Sequence, residues 1–218
     1  MNKSISASVS SERIQQICCL TKVIPVLAVE HIEDSIPLGQ ALVDGGLKVL
    51  EVTLRTKNAL SVISEMSKID GAFVGVGTLL SEKDVQEAVE AGAQFGVSPG
   101  ITSSIISACE KEGLPLLAGV STISEGMQML ERGYKTLKFF PAEVSGGVNA
   151  LKAIAGPLPE IRFCPTGGVN HNNAGKYLLQ KNVVCVGGSW MAPKELIEKK
   201  EWAIIQSMAE TASQMGYK

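Results

Sequence analysis

A chain of 218 residues, 45% hydrophobic and 19% charged, can bury one large core but is short for two ordinary α/β domains, so one domain over residues 1–218 is expected. The formal net charge of −2, with Lys, Arg, Asp and Glu spread evenly, leaves no basic stripe and argues against a nucleic-acid partner. Polar or charged residues interrupt every apolar run before the roughly 20 residues that a bilayer crossing needs, which argues against a membrane partner.

The opening MNKSISASVSS is polar, poor in arginine and without a hydrophobic h-region, so it reads as a frayed tail on a cytoplasmic protein. A helix is predicted from about Ser11 to Leu20. From there to Trp190, short β-branched or apolar runs alternate with amphipathic segments, the pattern of βαβ units. Eight strand candidates start at Val23, Val49, Phe73, Phe95, Leu114, Thr136, Ile161 and Val183. Their starts recur roughly every 19 to 26 residues, which fits a compact α/β fold of the (β/α)8 TIM-barrel type without inserted domains. Glycines in AGAQ, EKEG and ERGY stand where the intervening helices should end. A last helix is predicted over about 194–215, with Trp202, Ile205, Met208 and Ala212 at helical spacing to cover the barrel. Cys18, Cys19, Cys109, Cys164 and Cys185 show no CxxC spacing and read as small apolar fillers in a reducing compartment.

Strands of a closed parallel barrel are buried on both faces, so a polar residue inside one needs a reason, usually a site at the C-terminal mouth. In VLEVTLR, Glu51, Thr53 and Arg55 share one face; in LKFFPAE, Lys138 and Phe140 do. An internal Glu51–Arg55 ion pair is the bland alternative, but residues four apart on a strand lie about 13 Å apart along it. A snorkelling edge lysine is the bland alternative for Lys138, and a closed barrel has no edges. A lysine amine at its ordinary pKa is neutral in about one molecule in 2,500 at pH 7. Burial and a nearby cation favour the neutral form, and a carboxylate opposes it. Amine, acid/base carboxylate and guanidinium are together the parts needed to form an imine with a 2-oxo acid, move protons and hold its carboxyl group.

Two glycine clusters follow the seventh and eighth strands: PTGGVN (165–170) and GGSW (187–190). Many barrels bind phosphate there with backbone N–H groups, with Ser189 able to add a hydrogen bond; a tight turn is the alternative for each cluster. Thr78 and Pro99 close the third and fourth strands and either line the mouth or serve the fold. His31 and His171 fall in loops without metal-ligand spacing, so no metal is expected.

LEVTLRT, GVGTLL, VSPG, LKFFPAE, FCPTGG and GGSW, in this order, resemble the bacterial 2-dehydro-3-deoxy-phosphogluconate (KDPG)/4-hydroxy-2-oxoglutarate (KHG) aldolases, from about Val23 to Trp190. The resemblance implies a homotrimeric class I aldolase that uses no metal or other cofactor and takes a small 2-oxo acid. It implies cleavage of KDPG to pyruvate and glyceraldehyde 3-phosphate, and of KHG to pyruvate and glyoxylate. Carried over by position, Lys138 would form the Schiff base, Glu51 would transfer protons, and Arg55 with Thr78 would hold the pyruvate carboxylate. Thr166, Gly167, Gly168, Gly187, Gly188 and Ser189 would surround the phosphate end, with Pro99 and Phe140 as walls. A phosphogalactonate aldolase and a non-catalytic phosphosugar-acid binder are the rival readings. A metal-dependent aldolase is disfavoured by the shortage of histidines.

Overall fold

The computed structural model describes residues 4–216. Strands run Val23–Leu27 (β1), Val49–Thr53 (β2), Phe73–Gly77 (β3), Gly96–Val97 (β4), Leu116–Leu117 (β5), Gly119–Val120 (β6), Thr136–Phe139 (β7), Arg162–Pro165 (β8) and Val186–Gly188 (β9). The helices of the first half are Ala7–Cys19 (α1), Ser35–Asp44 (α2), Ala59–Met66 (α3), Glu82–Glu90 (α4) and Ser103–Glu112 (α5). Those of the second half are Ile123–Arg132 (α6), Gly147–Ile154 (α7), Ala174–Leu178 (α8), Lys194–Glu198 (α9) and Trp202–Ser213 (α10).

All the strand pairs are parallel, and they group in two sheets of order β5-β4-β3-β2-β1-β9 and β6-β7-β8. The architecture is α/β, a curled parallel sheet with helices between successive strands except β5 and β6. Its strand ladder is a half-barrel and does not run continuously through all eight expected strands. Its fifth strand, LPLLAGV, divides at Ala118: β5 pairs with β4, and β6 with β7. At the break Gly119 is pressed against the preceding strand's end, where a Cβ would meet the Ser98 carbonyl oxygen at 2.6 Å, so the ladder changes partner there. Between β8 and the β9 segment only the single bridges Phe163–Val183 and Thr166–Gly187 form.

Alternation along the strands sorts the core. Leu50, Val52, Leu137 and Phe139 join the large cluster beneath the helices. Ile24, Val49, Val97, Leu117, Cys164 and Cys185 form a smaller cluster on the opposite face, with Ile14, Ile17 and Cys18 of α1 against it. The strands are thus buried on both sides, and a charge placed among them must be matched locally.

The opening segment is not frayed from Ser6 onward. Ser6 caps α1 by accepting the Val9 N–H, while Ser10 and Ser11 accept the N–H groups of Leu116 and Lys135, 3.0 and 2.7 Å away. These hydroxyls satisfy donors at strand starts, so a serine-rich stretch that reads as polar becomes a docked helix. Met1–Lys3, the first part of the predicted tail, lie outside the described residues. The predicted C-terminal helix is two helices, α9 and α10, divided around Lys200 at φ 56°. Among the described residues no helix is long and apolar enough to cross a membrane.

Candidate active site

All five residues of β2 are buried, and its alternation sends Leu50 and Val52 to the helices and Glu51 and Thr53 to the other face. β7 does the same with Lys138 between Leu137 and Phe139. The two polar side chains meet: Lys138 Nζ lies 3.2 Å from Glu51 Oε1, with 5% of Lys138 and 3% of Glu51 accessible. Moving two charges out of water costs several kcal/mol per ion, so such a pair is weak evidence of stabilisation and asks for another reason. The Phe140 ring, its centroid 5.2 Å from Nζ, covers a further side of the ammonium.

Among the described residues, Arg55 forms no ion pair with Glu51. Its Nε–H donates to Thr53 Oγ1 at 3.0 Å, and Thr53 Oγ1 donates to the Leu27 carbonyl at 2.7 Å. The guanidinium's remaining donors stay available at an exposed position. Thr78 holds φ 67°, a left-handed backbone that is strained for a β-branched residue and is concentrated at functional sites in proteins.

Glu51, Arg55, Thr78, Pro99, Lys138, Phe140 and Thr166 line one cavity of about 190 Å³ together with Val26 and Thr53. Larger hollows exist, including one of about 620 Å³ beside α1 and one of about 200 Å³ lined by Lys111, Glu82 and Glu112, but neither is lined by Lys138 or Glu51. The remaining expected residues, Gly167, Gly168, Gly187, Gly188 and Ser189, are not among the cavity's lining residues. Gly187 bridges to Thr166 and also pairs with Ile24, Gly188 pairs with Pro25, and Ser189 is exposed just beyond.

The loop after β8 turns through two successive glycines. Gly167 and Gly168 take φ 96° and 78°, which a glycine adopts without strain. Its carbonyls are occupied. Thr166 O and Gly167 O accept the N–H groups of Ala142 and Glu143, at 2.8 and 3.1 Å. Gly168 O accepts from Nδ2 of both Asn170 and Asn173, at 3.2 and 3.0 Å. Among the described residues, the N–H groups of Gly168 and Val169 find no acceptor in the protein.

Sequence reasoning missed Gly77, Asn170 and Asn173, and it gave Thr53 a face but no task. A Cβ on Gly77 would overlap the Glu51 carboxylate and come 2.8 Å from Glu51 Cγ, so the absent side chain makes room for the acid. The signal in the sequence is a glycine as the last residue of a buried strand beside a site. His31 and His171 lie in exposed loops, and among the described residues no three His, Cys, Asp or Glu side chains form a metal cluster.

A family model described as KDPG and KHG aldolase matches residues 14–208. The chain belongs to the KDPG and KHG aldolase family. The KHG/KDPG aldolase of Escherichia coli K12 is 46% identical over 191 residues, covering 87% of this chain and 90% of that one. Among solved structures, the 2-keto-3-deoxy-6-phosphogluconate aldolase of Zymomonas mobilis ZM4 with 3-phosphoglycerate superposes with a TM-score of 0.90 at 43% identity, covering 94% and 97% of the two chains. The KDPG aldolase of Legionella pneumophila, with pyruvate captured at low pH as a covalent carbinolamine, gives 0.89 at 41% identity, covering 92% and 98%.

Proposed function

We propose that the protein is a Schiff-base aldolase that cleaves KDPG to pyruvate and glyceraldehyde 3-phosphate, and KHG to pyruvate and glyoxylate. The observation that carries this reading is the buried Lys138–Glu51 contact of 3.2 Å at the wall of a cavity that Arg55 also lines. A protein that only bound a sugar acid would gain nothing from an amine and a carboxylate desolvated together.

Lys138 attacks the C2 ketone as the free amine, giving a carbinolamine that loses water to a protonated imine. The imine withdraws electrons from C3. Removal of the C4 hydroxyl proton then breaks the C3–C4 bond, releases the aldehyde and leaves the enamine of pyruvate. A proton returns to C3, and hydrolysis of the imine frees pyruvate and Lys138. Glu51, in hydrogen-bond reach of the nitrogen, is the group that takes and returns these protons, directly or through a water. Arg55, oriented by Thr53, and Thr78 take the substrate carboxylate, with Pro99 and Phe140 as walls. Thr166 and the N–H groups of the Gly167–Gly168 loop, with Gly187, Gly188 and Ser189 alongside, take the phosphate end.

The finer architectural reading, a (β/α)8 barrel in a single domain, is supported by the two single bridges joining β8 to β9 and by the adjacency of β5 and β6 in one extended segment. A cytoplasmic homotrimer belongs to the same proposal. It rests on the family resemblance, and exposed Val144 and Leu179 offer apolar surface for such contacts. Borohydride reduction in the presence of pyruvate tests the function. It is expected to inactivate the protein and leave the adduct on Lys138, whereas an adduct on another lysine, or none, overturns the reading.

A further inference from the structure

Glu143, the last residue of LKFFPAE, has no part in the chemistry above. Its carboxylate accepts a hydrogen bond from the hydroxyl of Tyr177. Glu143 is exposed and Tyr177 is fully buried, so a phenol rooted in the interior fixes a carboxylate that would otherwise be solvated. Burial first, then the bond to Glu143 and its charge, hold the Tyr177 hydroxyl well above the ordinary phenol range, and it remains a donor.

Both residues bear on the loop after β8. The Glu143 N–H donates to Gly167 O at 3.1 Å. Its side-chain stem lies against Gly168, where a Cβ would come 2.7 Å from Glu143 Cβ and 2.6 Å from Cγ. On the other side Gly147 leaves the space the pair needs, since a Cβ there would stand 3.2 Å from the Tyr177 hydroxyl and 3.4 Å from Glu143 Oε1. The Glu143 stem is therefore the wall behind the loop, and Tyr177 sets where that wall stands. Tyr177 belongs to α8, which follows the loop in sequence, so the bond ties the far end of the loop back to the segment after β7.

Charge points the same way. A carboxylate free to swing beside an anion site would repel a phosphate, and binding it to Tyr177 keeps its charge on the protein side.

We infer that Tyr177 and Glu143 are a positioning pair that holds the Gly167–Gly168 loop in its anion-binding form and thereby sets the preference for substrates phosphorylated at the end remote from the keto acid. The inference rests on the reading of this loop as the phosphate end.

Three variants test it: Tyr177→Phe removes the hydroxyl, Glu143→Gln keeps an acceptor without the charge, and Glu143→Ala removes both. Each is assayed for kcat and KM on KDPG and on KHG, with a thermal midpoint as a control for folding. Tyr177→Phe and Glu143→Ala are expected to raise KM for KDPG about 10-fold or more, with kcat and the KHG constants within about twofold, and Glu143→Gln to stay within about threefold. Equal losses on both substrates, or an unchanged KM for KDPG, overturn the inference. Ser189→Ala, just beyond the end of β9, separates the two ways of failing. If it discriminates between the substrates and Tyr177→Phe does not, the phosphate reading stands and the positioning pair falls. If neither discriminates, the phosphate reading falls and the inference with it.

Discussion

Lys138 Nζ and Glu51 Oε1 lie 3.2 Å apart between the two sheets, although 87 positions separate them in the chain. Neither strand explains its own charge; the contact explains both. It also places Glu51 as the carboxylate against the Lys138 nitrogen, and its proposed acid/base role can be checked without cleaving any substrate. Glu51→Gln should still be trapped on Lys138 by borohydride and pyruvate. Exchange of the pyruvate methyl protons with heavy water, followed by NMR, should slow by about 10² to 10⁴. Exchange at the unmodified rate would assign the proton to another group.

Gly77 supplies the room in which Glu51 sits. The alanine methyl of Gly77→Ala would overlap the carboxylate, and since Gly77 has no positive φ, its backbone conformation suits alanine. The expected result is a folded protein with a displaced acid. A misplacement of about 1 Å is enough for roughly a 10²-fold loss in rate. Overpacking should lower stability by about 1–3 kcal/mol. Proton exchange as fast as in the unmodified protein would show that Glu51 tolerates the methyl group and that Gly77 matters only to packing.

How much of this was legible depended on the kind of information needed. Strand parity alone put Glu51, Thr53 and Arg55 on one face and Lys138 on a buried one, because a two-residue period survives in the sequence. Distances between strands do not survive, so the Lys138–Glu51 contact and the Arg55–Thr53–Leu27 relay became visible only with β1, β2 and β7 in place. The resemblance, carried by six motifs, named seven of the nine cavity residues, all but Val26 and Thr53; it did not name Gly77, whose contribution is an absent atom. Local propensity failed at Ser10 and Ser11, whose hydroxyls read as solvent-facing but accept strand N–H groups 106 and 124 positions away. It failed again at Ala118, where one predicted strand serves two sheets.

Acid sensitivity has a local source at the start of α6. Glu125 Oε2 accepts the N–H groups of Ser121 and Thr122, both at 2.8 Å, and the Thr122 hydroxyl at 2.9 Å, completing a capping box. Partial burial raises its carboxyl, but the bonds from Ser121 and Thr122 outweigh this and hold it below the ordinary range. A depressed folded value means that the stabilisation is present above the unfolded value of about 4.3 and is lost as pH falls through the folded one. Glu125→Gln keeps acceptors for the cap and no longer titrates. Its thermal midpoint should therefore fall less than that of the unmodified protein as pH drops below about 4.3. Identical pH profiles would place the acid sensitivity elsewhere.

Ser189 follows β9, whose Gly187 bridges to Thr166 at the cavity wall. It is exposed, so its hydroxyl is free to meet a ligand held by the N–H groups of the neighbouring loop. A hydrogen bond from it to a charged phosphate is worth roughly 1.5–3 kcal/mol, so Ser189→Ala should cut kcat/KM for KDPG about 10- to 150-fold. KHG ends there in a small carboxylate and should lose less. The ratio of the two kcat/KM values in variant and unmodified protein is the quantity to measure, because a general defect in folding or imine formation cancels from it. An unchanged ratio would mean that Ser189 serves the chemistry common to both substrates, and the phosphate would have to be placed elsewhere on the rim.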